Sequence, residues 1–494
     1  MDKEILERFE RECLVYLSQY DIYQLRAYGR NIGVKEPTKK LRKPLLDAIL
    51  GVLSGRIAPV ERSIRGAPVK SDFFDPKIPD EIEKIRVSAN AGFPETARES
   101  EEKRDIVKEI AEFKATNKLT MVFNSPNYTD KSLKRCGQLT TLDGVSYVLP
   151  LSCRDNGEKV VMPVELIREY DLKEGDIVSC QVEKAKSVFI VVKILTVNGF
   201  EADKHHRFGD FDDMSASYPT QPVRFFHPAY TASVTAKYLD WLFNIGKGQR
   251  CRILSAPKAG KTELIYELVK GASLSNADAT VCVLLIEQSP ETISRFRGLV
   301  DADSLVYSTY DDTPERQVFT AEFLLKRAKR LAECGKDVIL FVDSFNALAR
   351  AYNDTALSSG GKMLSCGLES KTVQYIKKYF GCARNLEKGG SVTIIGTVSC
   401  DSGIPIDDCI ATELSAITNA DIFLNEKLAV QRIYPAVDLT RSKTWNGVEK
   451  FDNAETLRRK VVDNFLPQFG EQALRDTLYE STAYDIFLEK IFNA

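Results

Sequence analysis

The sequence predicts a chain of several domains: an N-terminal helical module, a small β-barrel and a C-terminal α/β domain on a parallel sheet. Three patterns predict it. Apolar residues recur at three- and four-residue spacing up to about residue 55, short β-rich runs broken by turn residues fill 133–200, and from about 236 fully apolar β-runs alternate with helical stretches. At roughly 100–200 residues per domain, 494 residues allow about three.

In the first region, Leu6, Phe9, Cys13, Leu14 and Leu17 make one helical stripe and Leu41, Leu45, Leu46, Ile49 and Leu50 another, with Gly33 and Pro37 between them as stop and break. This sets a helical module over 1–55. Recurrent prolines and the charge run Arg98–Asp105 mark 56–132 as a linker or insert, the run reading as a solvated helix face. Residues 133–200 hold runs such as Val145–Leu149 and Val188–Leu195 between Asp155-Asn156-Gly157 and Glu174-Gly175-Asp176 turns, the pattern of a small barrel. A connector over 201–235 leads into 236–494, where Arg252–Ser255, Val281–Ile286, Val338–Val342 and Ser391–Gly396 are apolar enough to be covered on both faces.

Composition narrows the function classes. With 44% apolar and 28% charged residues the chain is globular rather than disordered or fibrous. Its 68 basic and 70 acidic residues leave a net charge of −2, so a nucleic-acid site must be a local patch. The 11 cysteines show no CxxC spacing and read as reduced core thiols, not a disulfide framework. Three histidines, His205, His206 and His227, are too few to suggest a metal site made of protein ligands. The charged N-terminus and the lack of a run of ~18 apolar residues point to a soluble, cytoplasmic protein with no membrane partner.

The chemistry concentrates in Ser255-Ala256-Pro257-Lys258-Ala259-Gly260-Lys261-Thr262, which follows one strand and opens a helix at Glu263-Leu264-Ile265. That is the setting of a phosphate-cradling loop. Backbone N–H groups surround the phosphates of a nucleoside triphosphate, Lys261 neutralises its outer oxygens, and Thr262 holds Mg2+. A chance Gly-Lys-Thr turn is the other reading, and Ser255 stands where the usual motif has its first glycine. Asp343 ends an apolar strand, either as the second Mg2+-side carboxylate or as a helix cap. Glu287 is the nearest carboxylate able to orient water, while the amide of Gln288 cannot act as a base.

These residues sit among others that resemble the family of the bacterial transcription termination factor Rho. The blocks are Gly246-Lys247-Gly248-Gln249-Arg250, Ala256–Thr262, Asp343-Ser344, Leu348–Asn353, Phe380–Asn385, Glu387–Ser391 and Arg432–Asp438, in order from Asn244 to about Phe465. Leu25–Leu50 and 133–200 resemble, more weakly, the family's helical module and its cold-shock-like, OB-type barrel. The resemblance implies a RecA-like P-loop motor, a hexameric ring of identical subunits or a mixed ring with another Rho, and ATP with Mg2+ at the subunit interface. It implies single-stranded RNA and the RNA polymerase elongation complex as partners. It assigns ATP to Asn244, Ile245, Gly246, Lys247, Gly248, Gln249, Lys258, Ala259, Gly260, Lys261, Thr262, Glu263 and Ser289, and to Tyr434 as the aromatic stacking on the base. Without the resemblance, Tyr434 reads as a buried tyrosine before a proline. Arg432 joins Lys261, Glu287 and Asp343 among the expected catalytic residues, and RNA is expected at Gly144, Val145, Ser146, Tyr147, Val161, Phe189, Gly367, Leu368 and Lys371.

Departures from the family pattern gather at catalysis. Its Asp-Glu-Arg-Pro reads Glu287-Gln288-Ser289-Pro290, which puts an amide where the water-polarising glutamate belongs. Ala347 and Trp445 stand where arginines are expected, the latter at the position of the finger that acts across the interface; a finger is worth ~10³–10⁵ in rate. Pro405 replaces a lysine of an inner RNA loop, and valines at 145 and 161 replace stacking aromatics. A one-residue shift of the alignment would let Glu287 and Lys443 serve instead. The sequence leaves three readings: an RNA-dependent ATPase that translocates on nascent RNA and terminates transcription, a divergent ATP- and RNA-binding ring or regulatory subunit with little or no hydrolysis, and a different RecA-like ATPase such as a rotary synthase subunit.

Overall fold

The computed structural model describes residues 22–57 with breaks at 38–39 and 55, single positions at 13, 16, 17, 20, 78, 79 and 82, and 133–493 with breaks at 155–156, 186, 229–232, 358–362 and 446–453. Two compact units divide the chain, 1–117 and 118–494. In the first, α1 (Ile22–Asn31) and α2 (Arg42–Leu53) are joined by a turn at Gly33, whose φ of 85° suits a residue without a β-carbon. Leu25, Tyr28, Leu45 and Ile49 form its core together with Cys13, Leu17, Ile78 and Ile82. Most of the Leu6–Leu17 stripe and the whole Arg98–Asp105 run lie outside the described residues.

The second unit begins with a closed sheet: β1 (Leu133–Leu142), β2 (Val145–Leu149), β3 (Val160–Val161), β4 (Ile177–Lys184), β5 (Phe189–Val197) and β6 (Phe200–Glu201), with α3 (Val164–Glu169) after β3. Its order is β3-β2-β1-β4-β5-β6, and a β3–β5 pairing closes the path. Leu139, Val148, Val178, Cys180, Val191 and Ile194 fill the interior, as alternation along half-buried strands requires. The chain then passes through β7 (Ala216–Ser217), β8 (Pro222–Val223), α4 (Val234–Leu242) and β9 (Ile245–Gly246).

From β10 (Arg250–Ser255) the chain alternates: α5 (Lys261–Ser275), β11 (Ala279–Gln288), α6 (Pro290–Phe296), β12 (Leu305–Thr309), α7 (Pro314–Glu333), β13 (Asp337–Asp343) and α8 (Phe345–Leu357). Then come α9 (Ser370–Gly381), β14 (Arg384–Leu386), β15 (Ser391–Ser399), α10 (Pro405–Ser415), β16 (Ala420–Phe423), α11 (Glu426–Val430) and β17 (Lys443–Thr444). Strands run β12-β11-β13-β15-β10-β16-β17, all parallel but the last. Helices α12 (Ala454–Lys460), α13 (Leu466–Glu480) and α14 (Tyr484–Asn493) complete the described chain, and Leu457, Leu474, Leu478 and Phe487 join the core beneath one sheet face. The four apolar runs read as strands are strands, while β12 and β16, shorter and less apolar, escaped the pattern.

Helix α7 is where barrel and sheet meet. It carries Lys326, Arg327, Lys329 and Arg330, and of these Arg327 is buried. The Arg327 guanidinium donates to Gln138 Oε1 at 2.9 Å, to the Leu151 carbonyl, and to the Asp303 carbonyl at 2.7 Å, while Gln138 Nε2 donates to the Phe323 carbonyl at 2.7 Å. Gly175 of the barrel packs against α7 so closely that a β-carbon would lie 2.6 Å from the Lys326 carbonyl. Burial lowers the Arg327 pKa, and three acceptors surround its guanidinium. Removing the guanidinium leaves the Leu151 and Asp303 carbonyls without that donor, at about 1–3 kcal/mol each. The expected outcome is that Arg327→Leu lowers unfolding stability by about 3 kcal/mol in urea titration, and a change under about 0.5 kcal/mol would contradict this docking role.

Candidate functional site

Parallel pairing sets Ser255 of β10 level with Ser399 of β15, and Phe341 and Val342 of β13 level with Ile395 and Gly396. The carboxyl ends of three adjacent strands therefore lie along one edge. Ligands of open α/β sheets bind at this edge. Gly396 is needed here, because a β-carbon would come 2.2 Å from the Phe345 ring that seats α8 after Asp343.

The loop after β10 turns at Lys258 (φ 66°) and Gly260 (φ 95°), and Gly260 starts α5 without a side-chain cap. The first N–H groups of this helix have no intrahelical acceptor and point at the space where an anion binds. Lys261 folds back over the loop, its Nζ donating to the Ser255 carbonyl and Oγ at 3.1 Å and to the Ala256 carbonyl at 3.0 Å. Ser255, the departure from the usual glycine, thus helps hold the lysine. Burial lowers the Lys261 pKa, with Asp343 acting in the opposite direction.

Thr262 Oγ1 donates to Asp343 Oδ2 at 2.8 Å, and Thr397 Oγ1, on the intervening β15, donates to Asp343 Oδ1 at 2.6 Å. A hydroxyl and a carboxylate so placed could hold a divalent cation beside phosphates. Asp343 is not the helix cap, since Ser344 Oγ accepts from the Ala347 N–H at 3.2 Å. Tyr434 is half exposed (50%), not buried as a tyrosine before proline would be. Its ring stands over Gly260, 3.4 Å from where a β-carbon would lie. Both residues line a cavity of about 640 Å3 with Ser233, Val234, Thr235, Glu263 and Glu267. Ser233–Thr235 and Glu267 carry no motif and were missed in sequence.

Glu287 and Gln288 part ways at a bulge in β11, where Glu287 has a φ of 55°. Gln288 Nε2 reaches the Asp343 carbonyl at 3.4 Å, whereas the Glu287 carboxylate faces Arg350 at 3.9 Å. Arg350 also binds Asp407 at 3.0 Å, so Glu287 is drawn toward that network. Ser289 caps α6, accepting from the Thr292 N–H at 3.2 Å, and Glu263 forms a two-point ion pair with Arg295 at 2.6 and 2.7 Å. Ala347 is buried in the core. Arg432 is exposed after α11 and, among the described residues, shows no side-chain hydrogen bond or ion pair. Trp445 is 42% exposed just past β17, its N–H on the Asn419 carbonyl at 2.9 Å.

Several expected contacts need correction. Asn244, Ile245, Gly246, Lys247, Gly248 and Gln249 precede β10, whereas the 255–262 loop leaves its far end, and a strand of six residues holds its two ends at opposite edges of the sheet. At the near edge Lys247 Nζ is locked between Asp278 and Asp337, 2.8 Å from each, and Gln249 Oε1 accepts from the Gly246 N–H at 2.6 Å. The segment thus lies at the end of β10 away from the 255–262 loop. The side chains of Leu368 and Val161 are buried. Register sets Tyr147 opposite Val161, but Phe189 beside Val160 of the barrel interior, so the two aromatics face opposite ways. Gly144 and Lys371 are exposed, Val145, Ser146 and Gly367 half-buried. Nor are all cysteines core thiols: Cys136 is exposed and Cys366, Cys400 and Cys409 half-buried. Among the described residues no helix is long and apolar enough to cross a membrane.

A parallel sheet with this loop at the end of an inner strand and Asp343 across the neighbouring strand defines a P-loop nucleotide-binding domain. Residues 235–444 match the family model described as the ATP synthase alpha/beta family, nucleotide-binding domain. The chain is 33% identical to transcription termination factor Rho of Bacillus subtilis over 354 residues, which cover 70% of this chain and 81% of that relative. Against transcription termination factor Rho of Escherichia coli K12 it is 36% identical over 282 residues, 56% of this chain and 67% of that one. Among solved structures, an ATPase from the type III secretion system of pathogenic bacteria matches at 24% identity and a TM-score of 0.46, covering 57% of this chain and 87% of its own. The chain belongs to the transcription termination factor Rho family.

The two ends of β10 can be told apart by mutation. Thr262→Val should weaken Mg2+-dependent nucleotide binding at least about tenfold in equilibrium titration, whereas Lys247→Met should leave it within about twofold, each tenfold being 1.4 kcal/mol. A tenfold loss in the lysine variant would return the 244–249 segment to the site.

Proposed function

We propose that this chain is a Rho-type ring subunit that holds Mg2+–ATP at the 255–262 loop, binds single-stranded RNA on its barrel, and hydrolyses ATP only slowly. One observation carries the slow step. The groups that hold phosphates and metal are assembled, Thr262 on Asp343 at 2.8 Å, while the side chain reaching the Asp343 carbonyl from β11 is the amide of Gln288. An amide can position a water molecule but cannot take its proton. Trp445 adds no charge to a neighbouring site, whereas an arginine finger is worth ~10³–10⁵ in rate.

RNA binding is supported by the closed β1–β5 path, which on this reading is an OB- or cold-shock-type barrel, with half-buried Tyr147 on its outer face and Gly144 exposed at the β1–β2 turn. With Tyr147 as the aromatic expected to stack from that face among the described residues, and each stacked base contributing ~1–3 kcal/mol, the barrel alone would bind RNA weakly. Six copies, or a mixed ring with another Rho, would multiply that contact and bring the subunit to a transcribing RNA polymerase elongation complex. On this reading the domains are 1–55, the insert 56–132, the barrel 133–200, the connector 201–235 and the RecA-like motor 236–494. The intact Lys261, Thr262 and Asp343 favour the second reading, an RNA-driven translocase that terminates transcription.

Steady-state ATP hydrolysis with and without cytidine-rich RNA separates them. The slow reading expects turnover below about 0.1 s⁻¹ with RNA, against ~1–10³ s⁻¹ for typical enzymes. It also expects Gln288→Glu combined with Trp445→Arg to raise the rate on the order of 10²-fold or more. RNA-stimulated turnover above about 1 s⁻¹ in the unaltered protein would establish the translocase reading instead.

A further inference from the structure

Cys366 and Cys409 are 43 positions apart in the chain, yet their sulfurs lie 2.7 Å from each other. Both are free and half-buried, so a small reagent can reach them. Cys366 sits in a tight turn closed by the Leu364 N–H on the Leu368 carbonyl at 2.7 Å and the Gly367 N–H on the Leu364 carbonyl at 3.0 Å. Gly367 faces Ile406 of α10, and Cys409 is on the same helix one turn further on. The turn is also tied to α8 through Asn353, which accepts from the Glu369 N–H at 2.8 Å and donates to the Gly367 carbonyl at 3.3 Å. A disulfide bond is about 2.05 Å long, so the sulfurs need approach by only about 0.7 Å, within reach of side-chain rotation.

We propose that Cys366 and Cys409 are a redox modification site, oxidised by a low-molecular-weight disulfide such as oxidised glutathione to an intrachain disulfide that fastens the 364–369 turn to α10. The step balances as two exchanges. One cysteine thiolate attacks a sulfur of the oxidised glutathione, forming a mixed disulfide and releasing one glutathione thiolate. The second cysteine thiolate attacks the bound sulfur and releases the other. Two protein thiols lose two protons and two electrons, and one glutathione disulfide becomes two thiols. Burial and the neighbouring Cys366 raise the Cys409 thiol, and in a pair so close one thiol ionises and attacks before the other, which resolves the mixed disulfide.

The helix that is fastened leads back to the nucleotide edge. Asp407 of α10 binds Arg350 and accepts from Asn346 Nδ2 at 2.8 Å, both of α8, the helix that follows Asp343. The bond would therefore stiffen the 364–369 turn against α10, and any effect on RNA retention by the ring rests on the function proposed above.

The test uses the full chain equilibrated with oxidised and reduced glutathione, alkylated, digested and read by mass spectrometry. The expected result is a cross-linked 366–409 peptide, two fewer alkylated thiols, reversal by dithiothreitol, and loss of the cross-link in both Cys366→Ser and Cys409→Ser. Absence of that peptide under oxidising ratios, in the unaltered protein whose fold is not in question, would overturn the site. RNA retention by the oxidised and reduced forms is the second arm, with at least a fivefold difference expected. A cross-link without any change in retention would overturn the coupling, and no retention by either form would overturn the RNA reading while the disulfide assignment stands.

Discussion

The functional edge of this protein depends on one carboxylate held by two hydroxyls. Asp343 ends β13, Thr397 is near the end of β15, and Thr262 opens the helix after β10, so the two hydrogen bonds on Asp343 bind three strand ends together. The arrangement requires the strands to be parallel and in register, because only then do their carboxyl ends share an edge. Gly396 lets Phe345 close over β15 and fixes where α8 leaves Asp343. The Lys261 ammonium, drawn back onto the Ser255 and Ala256 carbonyls, faces the same space. Cation, hydroxyl and carboxylate converge there from residues 81 positions apart in the chain.

The barrel is tied to that edge through α7. Gln138, the Leu151 carbonyl and Gly175 seat the barrel on α7, and α7 leads directly into β13, whose last residue is Asp343. The helix that seats the barrel is thus the one that feeds the strand ending in Asp343. A further polar group lies between them: Glu333, at the end of α7, accepts from the Phe211 N–H at 2.7 Å and pairs with Arg330 at 2.8 Å. Burial raises its pKa despite those partners.

The loop, its helix and the four apolar strands were legible in the sequence because each rests on local chemistry: apolar runs, a glycine at positive φ, a lysine and threonine opening a helix. The Rho blocks were legible for the same reason. The features that stayed hidden depend on register and on distance. Whether Glu287 or Gln288 faces Asp343 is decided by a bulge that no residue pattern announces. The 244–249 segment carries a recognisable block, but a motif does not show which end of a strand it occupies. Tyr147 and Phe189 look like one stacking surface until strand pairing puts them on opposite faces. Cys366 and Cys409 meet only because α10 packs beneath a turn 43 residues away.

Central to the proposed function is that the chain keeps ATP rather than splitting it: Lys261, Thr262 and Asp343 would hold phosphate and metal, while Gln288 and Trp445 stand at the positions where the family resemblance implies a carboxylate and an arginine. The most direct test is the identity of the nucleotide held at the site. The protein is incubated with Mg2+, ATP and cytidine-rich RNA, separated rapidly from free nucleotide, denatured and analysed by chromatography. Most of the recovered nucleotide should be ATP after many minutes. Recovery mostly as ADP, with phosphate released in step, would contradict slow hydrolysis at this site.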